Sequence, residues 1–458
     1  MAHHPPTSRS RSITLVIVIA LLVTFALGAN APGTTESTAS AKQDPSDALF
    51  DPTRIHEIRM DLTPDALAGL RASCDAWERI LSQDPRCDVR VPTRLTVDGV
   101  SMDNAGVRLK GGIATWRPID QKASFSIKTD EFVEDQEVFG ERRFTVNNAI
   151  AEPSFITESL TYDVFRRAGV PAPRTALANV YLGDEHLGLY VLREAYDKRF
   201  LHRNFDDDDG NLYESTSPTR DIADPGLWIR TNEKSADTSD LQALADVVHT
   251  VPDDQYRASL SKLFDLRELY RYWAAEALTA HNDGYIYNLA AIGRQESPWP
   301  NNFYAYHDPS TDRFVILPYG ADATFGIGYT DIPADTPVLL PPKSDSTMAL
   351  RLWNLPGTFD KVLRTMQKVL DTAWDEPALL ARADQIAALV RADGLRGSRE
   401  TTTMDQFEQA FAARRAFITE RGPAVEVELA AAAAAAAAAA PTTTTTTAPP
   451  ATKGTRAR

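Results

Sequence analysis

Apolar and polar positions along this 458-residue chain follow two periods, and the change falls near the middle. The first half alternates. Residues 55–60 place apolar and polar side chains in turn, as a half-buried strand requires, and 107–110 and 124–128 do the same on either side of Gly111-Gly112. Two more strands are predicted at 177–182 and 188–192, joined by Gly183-Asp184-Glu185-His186, a hairpin turn by composition. One helix interrupts them. Ser154 reads as its N-cap, Ile156, Leu160, Val164 and Phe165 share a face, and Gly169 stops it.

The second half is helical. Asp265 with Glu268 reads as a capping box. Leu266, Leu269, Tyr270, Trp273, Ala277 and Leu278 then form a stripe that leads into His281. Helices are also predicted near 357–373, 376–393 and 402–420, and short strands at 303–306 and 314–318. A mostly β half followed by a mostly α half predicts an α+β chain of two lobes, strand-rich then helix-rich, with a site in the cleft between them.

The ends break both patterns. Arg9 and Arg11 precede an apolar run at 13–27 and then Gly28-Ala29-Asn30-Ala31. A basic start, an apolar run and an Ala-x-Ala site make 1–31 a secretory signal, or an uncleaved anchor if the run spans a membrane. Residues 32–48 have linker composition, and 423–458, with unbroken alanine at 430–440 and a Thr/Pro stretch after it, reads as a low-complexity tail. That leaves 49–422 as the folded part, divided near residue 200. Export also decides the cysteines: Cys74 and Cys87, the only two, are expected to form one disulfide. Hydrophobic residues make up 43% of the chain, enough for a substantial core. The formal charge of −15 argues against a nucleic-acid partner, which would call for a basic face.

Candidate chemistry gathers after the His281 helix. His281-Asn282-Asp283-Gly284-Tyr285 supplies a carboxylate beyond a helix end, with Asn288 five positions on. That spacing matches the base and metal-binding Asn of H-R-D-x-x-x-x-N. Asn301-Asn302 opens the 303–306 strand, and Asn302 competes with Asn288 as a neutral oxygen ligand for a hard cation. Pro318-Tyr319-Gly320-Ala321-Asp322-Ala323-Thr324-Phe325-Gly326 places a second carboxylate, Asp322, after a strand and just before Phe-Gly, where kinases hold a metal-binding Asp. Each acid has a bland counterpart reading, as a helix cap for Asp283 and a turn former for Asp322. Upstream, Lys110-Gly111-Gly112 and Lys122 suit backbone and lysine contacts to a phosphate, or a solvated surface hairpin. Glu158, on the 154–169 helix, is a candidate partner for Lys122 or a surface residue. Asp206-Asp207-Asp208-Asp209-Gly210 lacks the complete Ca²⁺-loop frame and reads as a solvated turn. Asp283 and Asp322 also admit a hydrolytic carboxylate pair of the glycosidase kind.

Several segments, taken in order, resemble the CotH (spore coat protein H) kinase family. They are Arg108-Leu109-Lys110-Gly111-Gly112 with Lys122-Ala123-Ser124-Phe125, Gly169-Val170-Pro171-Ala172-Pro173-Arg174, Gly188-Leu189-Tyr190 through Glu194, Asn211-Leu212-Tyr213, and the triplet just described. The resemblance covers about residues 50–330. It implies a two-lobed, protein-kinase-like fold and an atypical secreted kinase that uses ATP and Mg²⁺ (or Mn²⁺) to phosphorylate Ser/Thr of a partner protein, such as a coat or envelope protein. Carried over, Asp283 would be the base, Asp322 and Asn302 metal ligands, Lys110 and Lys122 phosphate contacts, and Glu194 a residue of the adenine-side strand between the lobes. One departure stands out. The family commonly reads P-W-D-x-D here, and this chain has Gly320 at the first acid. If that acid is essential, the chain is a pseudokinase scaffold at a cell or spore surface.

Overall fold

The computed structural model of the chain describes residues 44–75, 78, 87, 89–112, 114–215, 221–224, 227–232, 237–287, 300–327 and 331–439. The 1–31 segment, the linker up to residue 43, Asn288 and the Thr/Pro part of the tail lie outside the described residues.

Seven strands close into a barrel in the order β1-β2-β3-β4-β5-β7-β6. They are β1 (Ile55–Asp61), β2 (Val91–Val97), β3 (Val100–Lys110), β4 (Ser124–Lys128), β5 (Arg143–Asn147), β6 (Thr175–Leu182) and β7 (Glu185–Glu194). Closure comes from β6 running parallel to β1, while every other neighbour is antiparallel. The alternation seen in the sequence is the barrel's inside and outside: Ile58, Met60, Val107, Leu109, Phe125 and Ile127 point inward and are buried. Helix α1 (Pro64–Arg71) follows β1, and Cys74 and Cys87 then form the expected disulfide.

Helix α2 (Thr157–Arg167) enters between β5 and β6. Its expected cap is corrected. Ile156 holds the N-cap position without a side-chain bond, and Ser154 is buried, donating to Glu152. Glu152 also receives the Thr157 N–H at 3.4 Å, so an acid ahead of the helix serves the amide that Ser154 was expected to serve. The apolar face of α2 joins a second core with the helices that follow.

Those helices are α3 (Lys198–Asn204), α4 (Ser239–Thr250), α5 (Asp253–Leu263), α6 (Leu266–Leu278), α7 (Thr347–Trp353), α8 (Thr358–Ala373), α9 (Glu376–Asp393) and α10 (Met404–Ala439). A four-stranded sheet in the order β11-β10-β8-β9 lies among them, made of β8 (Leu212–Glu214), β9 (Trp228–Ile229), β10 (Phe303–Asp308) and β11 (Arg313–Pro318). The described chain is therefore a mixed α+β protein, strand-rich first and helix-rich second.

Helix α6 is fastened at both ends. Asp265 caps it, accepting from Arg267 N and Glu268 N at 2.9 and 3.1 Å. Glu268 does not close the expected box. It turns into the core and accepts from Ile316 N of β11, while Asp265 N bonds to Phe314 O. At the far end, buried Arg421 of α10 donates to Ala277 O and Leu278 O, and also to Ala334 O and Thr336 O. The last turn of α6 is closed locally by Thr279 N, Ala280 N and His281 N, and Arg421 adds a donor to Ala277 O and Leu278 O from far along the sequence. Helix α10 continues past residue 422 into the alanine run. Val425 and Leu429 are buried, and Glu428 accepts from Val338 N and Leu339 N, so packing extends into the segment whose composition reads as tail. No helix among the described residues is long and apolar enough to cross a membrane.

Candidate active site

Three loops interleave beyond the C-terminus of α6. Thr279 O receives Phe325 N, Ala323 O accepts from both Asn282 N and Asn282 Nδ2, and Asn282 Nδ2 also donates to Ile327 O. Gly284 O receives Asn301 N, and Asn302 O receives Tyr319 N. These bonds set the 281–284, 301–302 and 319–327 segments side by side. Ala280, Asn302 and Phe325 all have left-handed φ, near 50°, which concentrates backbone strain where the loops cross.

Asp283 is held by the amide pair. Its Oδ1 accepts from Asn301 Nδ2 at 2.9 Å, its Oδ2 from Asn302 Nδ2 at 2.8 Å, and Asn302 also reaches its backbone carbonyl. Burial raises its carboxyl, and the two amides oppose that rise. Asn302 spends its NH₂ on Asp283 and turns its Oδ1 to the α-face of Gly320, so a Cβ at 320 would strike the Asn302 side chain. Gly320 itself sits at φ 53°. Asn301, named in the sequence only as the neighbour of Asn302, gives the Asp283 carboxylate one bond, as Asn302 does.

Asp322 is half-buried, and its carboxyl is pushed up to about 7. Burial is the main cause, the carboxylates of Glu158 and Asp283 add to it, and Lys110 opposes it. Those interactions bring Lys110 on the barrel, Glu158 on α2 and both loop acids into one electrostatic neighbourhood. Thr157 Oγ1 also bonds to Asp322 O, and Thr161 Oγ1 to Thr324 Oγ1, tying α2 to the acidic loop.

Lys110, not Lys122, is the lysine linked to Glu158. Lys122 does not meet Glu158. It is buried 2.6 Å from both oxygens of Glu400, with Phe155 and Tyr190 rings at 5.3 Å. Lys110, at the end of β3, donates to Asn147 Oδ1 at 2.5 Å, and Asn147 Nδ2 donates to both Glu158 oxygens at 2.8 Å. An asparagine therefore couples the lysine to the helix acid. Burial lowers the Lys110 ammonium despite Tyr319, Glu158 and Asp322 nearby. Gly111 (φ 127°) and Gly112 open a tight turn after Lys110, closed by Trp116 N to Gly112 O at 2.8 Å. Glu194 lies elsewhere, bonded to Arg174 and Arg203. The acidic run at 206–209 pairs with Lys198 and His202.

Among the described residues no group of three or more His, Cys, Asp or Glu is placed to hold a metal ion. A magnesium ion needs no such cage: it is held by one or two carboxylates together with substrate phosphates. Asp322 suits that demand. Among the described residues its carboxylate accepts from its own backbone N–H, and burial beside Glu158 and Asp283 makes added positive charge favourable there.

Beneath the loops lies a neutral acid. Glu276 is fully buried and pushed up to about 8 by burial, though it accepts from Ile286 N and Tyr287 N. Its other oxygen faces His281 Nδ1 at 3.8 Å, and His281 is pushed down to about 4 by its own burial. A Cβ at Gly284 would collide with Glu276 Oε1. The folded Glu276 carboxyl titrates above its unfolded value of 4.5, so its stabilising contribution is full below that pH and is lost as pH rises through about 8. Glu276→Gln mimics the protonated acid. It is expected to match wild type near pH 4 and to exceed it by about 1–3 kcal/mol near pH 9 in urea denaturation; parallel pH profiles would refute the assignment. His281 acts in the opposite window, its contribution lost as pH falls from 6.5 through about 4.

The fold and site together define a class: a closed barrel carrying a lysine, coupled through a helix acid to two carboxylates on loops of a helix-rich region. A family model described as CotH kinase protein matches residues 107–425, from β3 into α10. The chain belongs to the CotH family. It is 23% identical over 291 residues to inner spore coat protein H of Bacillus subtilis, covering 60% of this chain and 75% of that protein. It is 24% identical over 208 residues to invasin CotH2 of Rhizopus delemar and 23% identical over 214 residues to invasin CotH3 of the same organism. The chain spans about a third of the invasins' length, 33% and 35%.

Proposed function

We propose that this chain is an exported, two-lobed, kinase-like phosphotransferase that moves the terminal phosphoryl group of ATP to a Ser or Thr hydroxyl of a partner protein. The observation that carries this reading is the common neighbourhood of Lys110, Glu158, Asp283 and Asp322, one pair from each half of the chain. Phosphoryl transfer asks a protein mainly for positioning and charge compensation, and this set offers both.

Asp283 takes the proton of the acceptor hydroxyl; Asn301 and Asn302 fix the orientation of its two oxygens. Lys110, aligned by Asn147 and Glu158, lies against the phosphates, and the Gly111-Gly112 turn brings backbone close to them. Asp322, with the free Oδ1 of Asn302, holds Mg²⁺ (or Mn²⁺). That ion, when bound, offsets charge on the transferring group. Lys122 is a brace between the barrel and the segment before α10, since Glu400 takes its charge. The 1–31 segment and the names of the relatives, coat protein and invasin, support a place outside the cytoplasm and a coat or envelope protein as acceptor.

Labelled phosphate transfer from ATP with Mg²⁺ or Mn²⁺ to an added protein acceptor tests this. Asp283→Ala is expected to lower the rate by about 10²-fold or more while ATP–Mg²⁺ still raises the melting temperature through binding to the native state. Equal labelling by wild type and variant would refute the reading. Gly320 favours a second one, a nucleotide-free scaffold that keeps the fold, because the family's first acid is absent there. That scaffold would show no stabilisation by ATP–Mg²⁺.

A further inference from the structure

A cavity of about 760 Å³ adjoins the acidic loop at Phe325 and Gly326, with α10 forming much of its wall. Ile150, Phe325, Ile332 and Phe417 line it with apolar surface, and Gln409 and Arg414 add polar groups. Arg414 is only 9% exposed. Its Nε has no hydrogen-bond partner, and among the described residues the side chain makes neither a hydrogen bond nor an ion pair. The acid best placed to neutralise it is committed elsewhere: Glu152 accepts from Ser154 on one oxygen and from Thr157 N on the other. Asp331 and Glu420 also line the cavity but are exposed to water.

Glu152 and Asp331 attract the guanidinium but neither is in contact with it, and burying a charged group without a directly bonded partner is unfavourable by several kcal/mol. Such a group in a cavity of ligand size, facing aromatic and aliphatic walls, is what a site needs to orient a mostly apolar molecule by one charged end. The planar fork of arginine matches the two oxygens of a carboxylate or phosphate. We propose that this cavity is a second site, separate from the four-residue neighbourhood, which binds a small molecule bearing a carboxylate or phosphate on an aromatic or aliphatic body. The oxyanion pairs with Arg414, and the body lies against Phe325 and Phe417.

Titration calorimetry of the folded chain with phenyl phosphate, benzoate, benzyl alcohol and inorganic phosphate tests the proposal. At least one of the first two is expected to bind tenfold or more tightly than both controls, and which of them wins identifies the oxyanion. Arg414→Gln should weaken that binding at least tenfold. Ala413→Trp should do so too, because it fills the cavity from an exposed helical position and leaves Arg414 in place; it decides the matter if Arg414→Gln does not fold. Absence of binding by wild type, or binding that survives Ala413→Trp, would overturn the proposal. Neither measurement depends on phosphoryl transfer, so a negative result here leaves the proposed activity untouched.

Discussion

Asp322→Asn is expected to abolish phosphoryl transfer and, in the same protein, to increase stability without nucleotide. The two effects share one cause. Asp322 is held near Glu158 and Asp283 in half-buried surroundings, so its charge is uncomfortable in the folded chain. Its folded value of about 7 stands above the ordinary 3.8. By linkage its stabilising contribution is complete below 3.8 and is lost as pH rises through about 7. An asparagine carries no such penalty, and at pH 8 the variant should gain about 1–2 kcal/mol, discounted for partial exposure. Near pH 3, below the unfolded value, the gain should vanish. On the proposed function, in which Asp322 holds the metal, its loss should cost about 10³-fold in transfer. Urea denaturation at both pH values and labelled transfer check the pair. A variant less stable at pH 8 as well as inactive would make Asp322 a structural residue.

Arg421→Met should be the most destabilising single change at a distance from the acids. Methionine keeps much of the volume but leaves Ala277 O, Leu278 O, Ala334 O and Thr336 O without their common donor. Ala277 O keeps Ala280 N, and each buried carbonyl left unsatisfied costs about 1–3 kcal/mol before relaxation, so the loss should be about 3–5 kcal/mol. A fall of that size in urea denaturation is expected. A change below about 1 kcal/mol would mean that water replaces the guanidinium.

Strands β1, β3, β4, β6 and β7 were legible because their inner positions alternate, as at Ile58 and Met60 or Phe125 and Ile127; β2, β5 and the closure of the barrel were not. Helix α6 was legible from its stripe and from Asp265. Its anchors were not. Glu268 looked like half of a capping box because local spacing cannot reveal Ile316 N arriving from β11. Arg421 lies 143 positions from Leu278, and no local pattern connects them. In the site, Asp283 and Asp322 were found through their positions after a helix and a strand. The lysine pairing was misjudged: Lys122 and Glu158 suggested each other by analogy with the strand lysine and helix acid of protein kinases, whereas the structure satisfies Lys122 with Glu400, 278 positions away, and gives Glu158 to Lys110 through Asn147. Asn147 had no signal beyond being one of two adjacent asparagines. Charge partners across long separations are chosen by barrel register and helix docking, which sequence periodicity does not encode.

The cap on α6 also sets an order of events. A ribosome delivers the barrel, α6 and both acidic loops well before residue 421 emerges. During that interval the chain already owns every side chain of the site, yet the helix end that carries His281 and Asp283 lacks its long-range donor to Ala277 O and Leu278 O. The site is finished last, by a residue that touches none of it. A chain shortened just ahead of Arg421 would therefore carry an intact set of reacting groups on an unfinished foundation, and completeness of the polypeptide becomes a precondition for its chemistry.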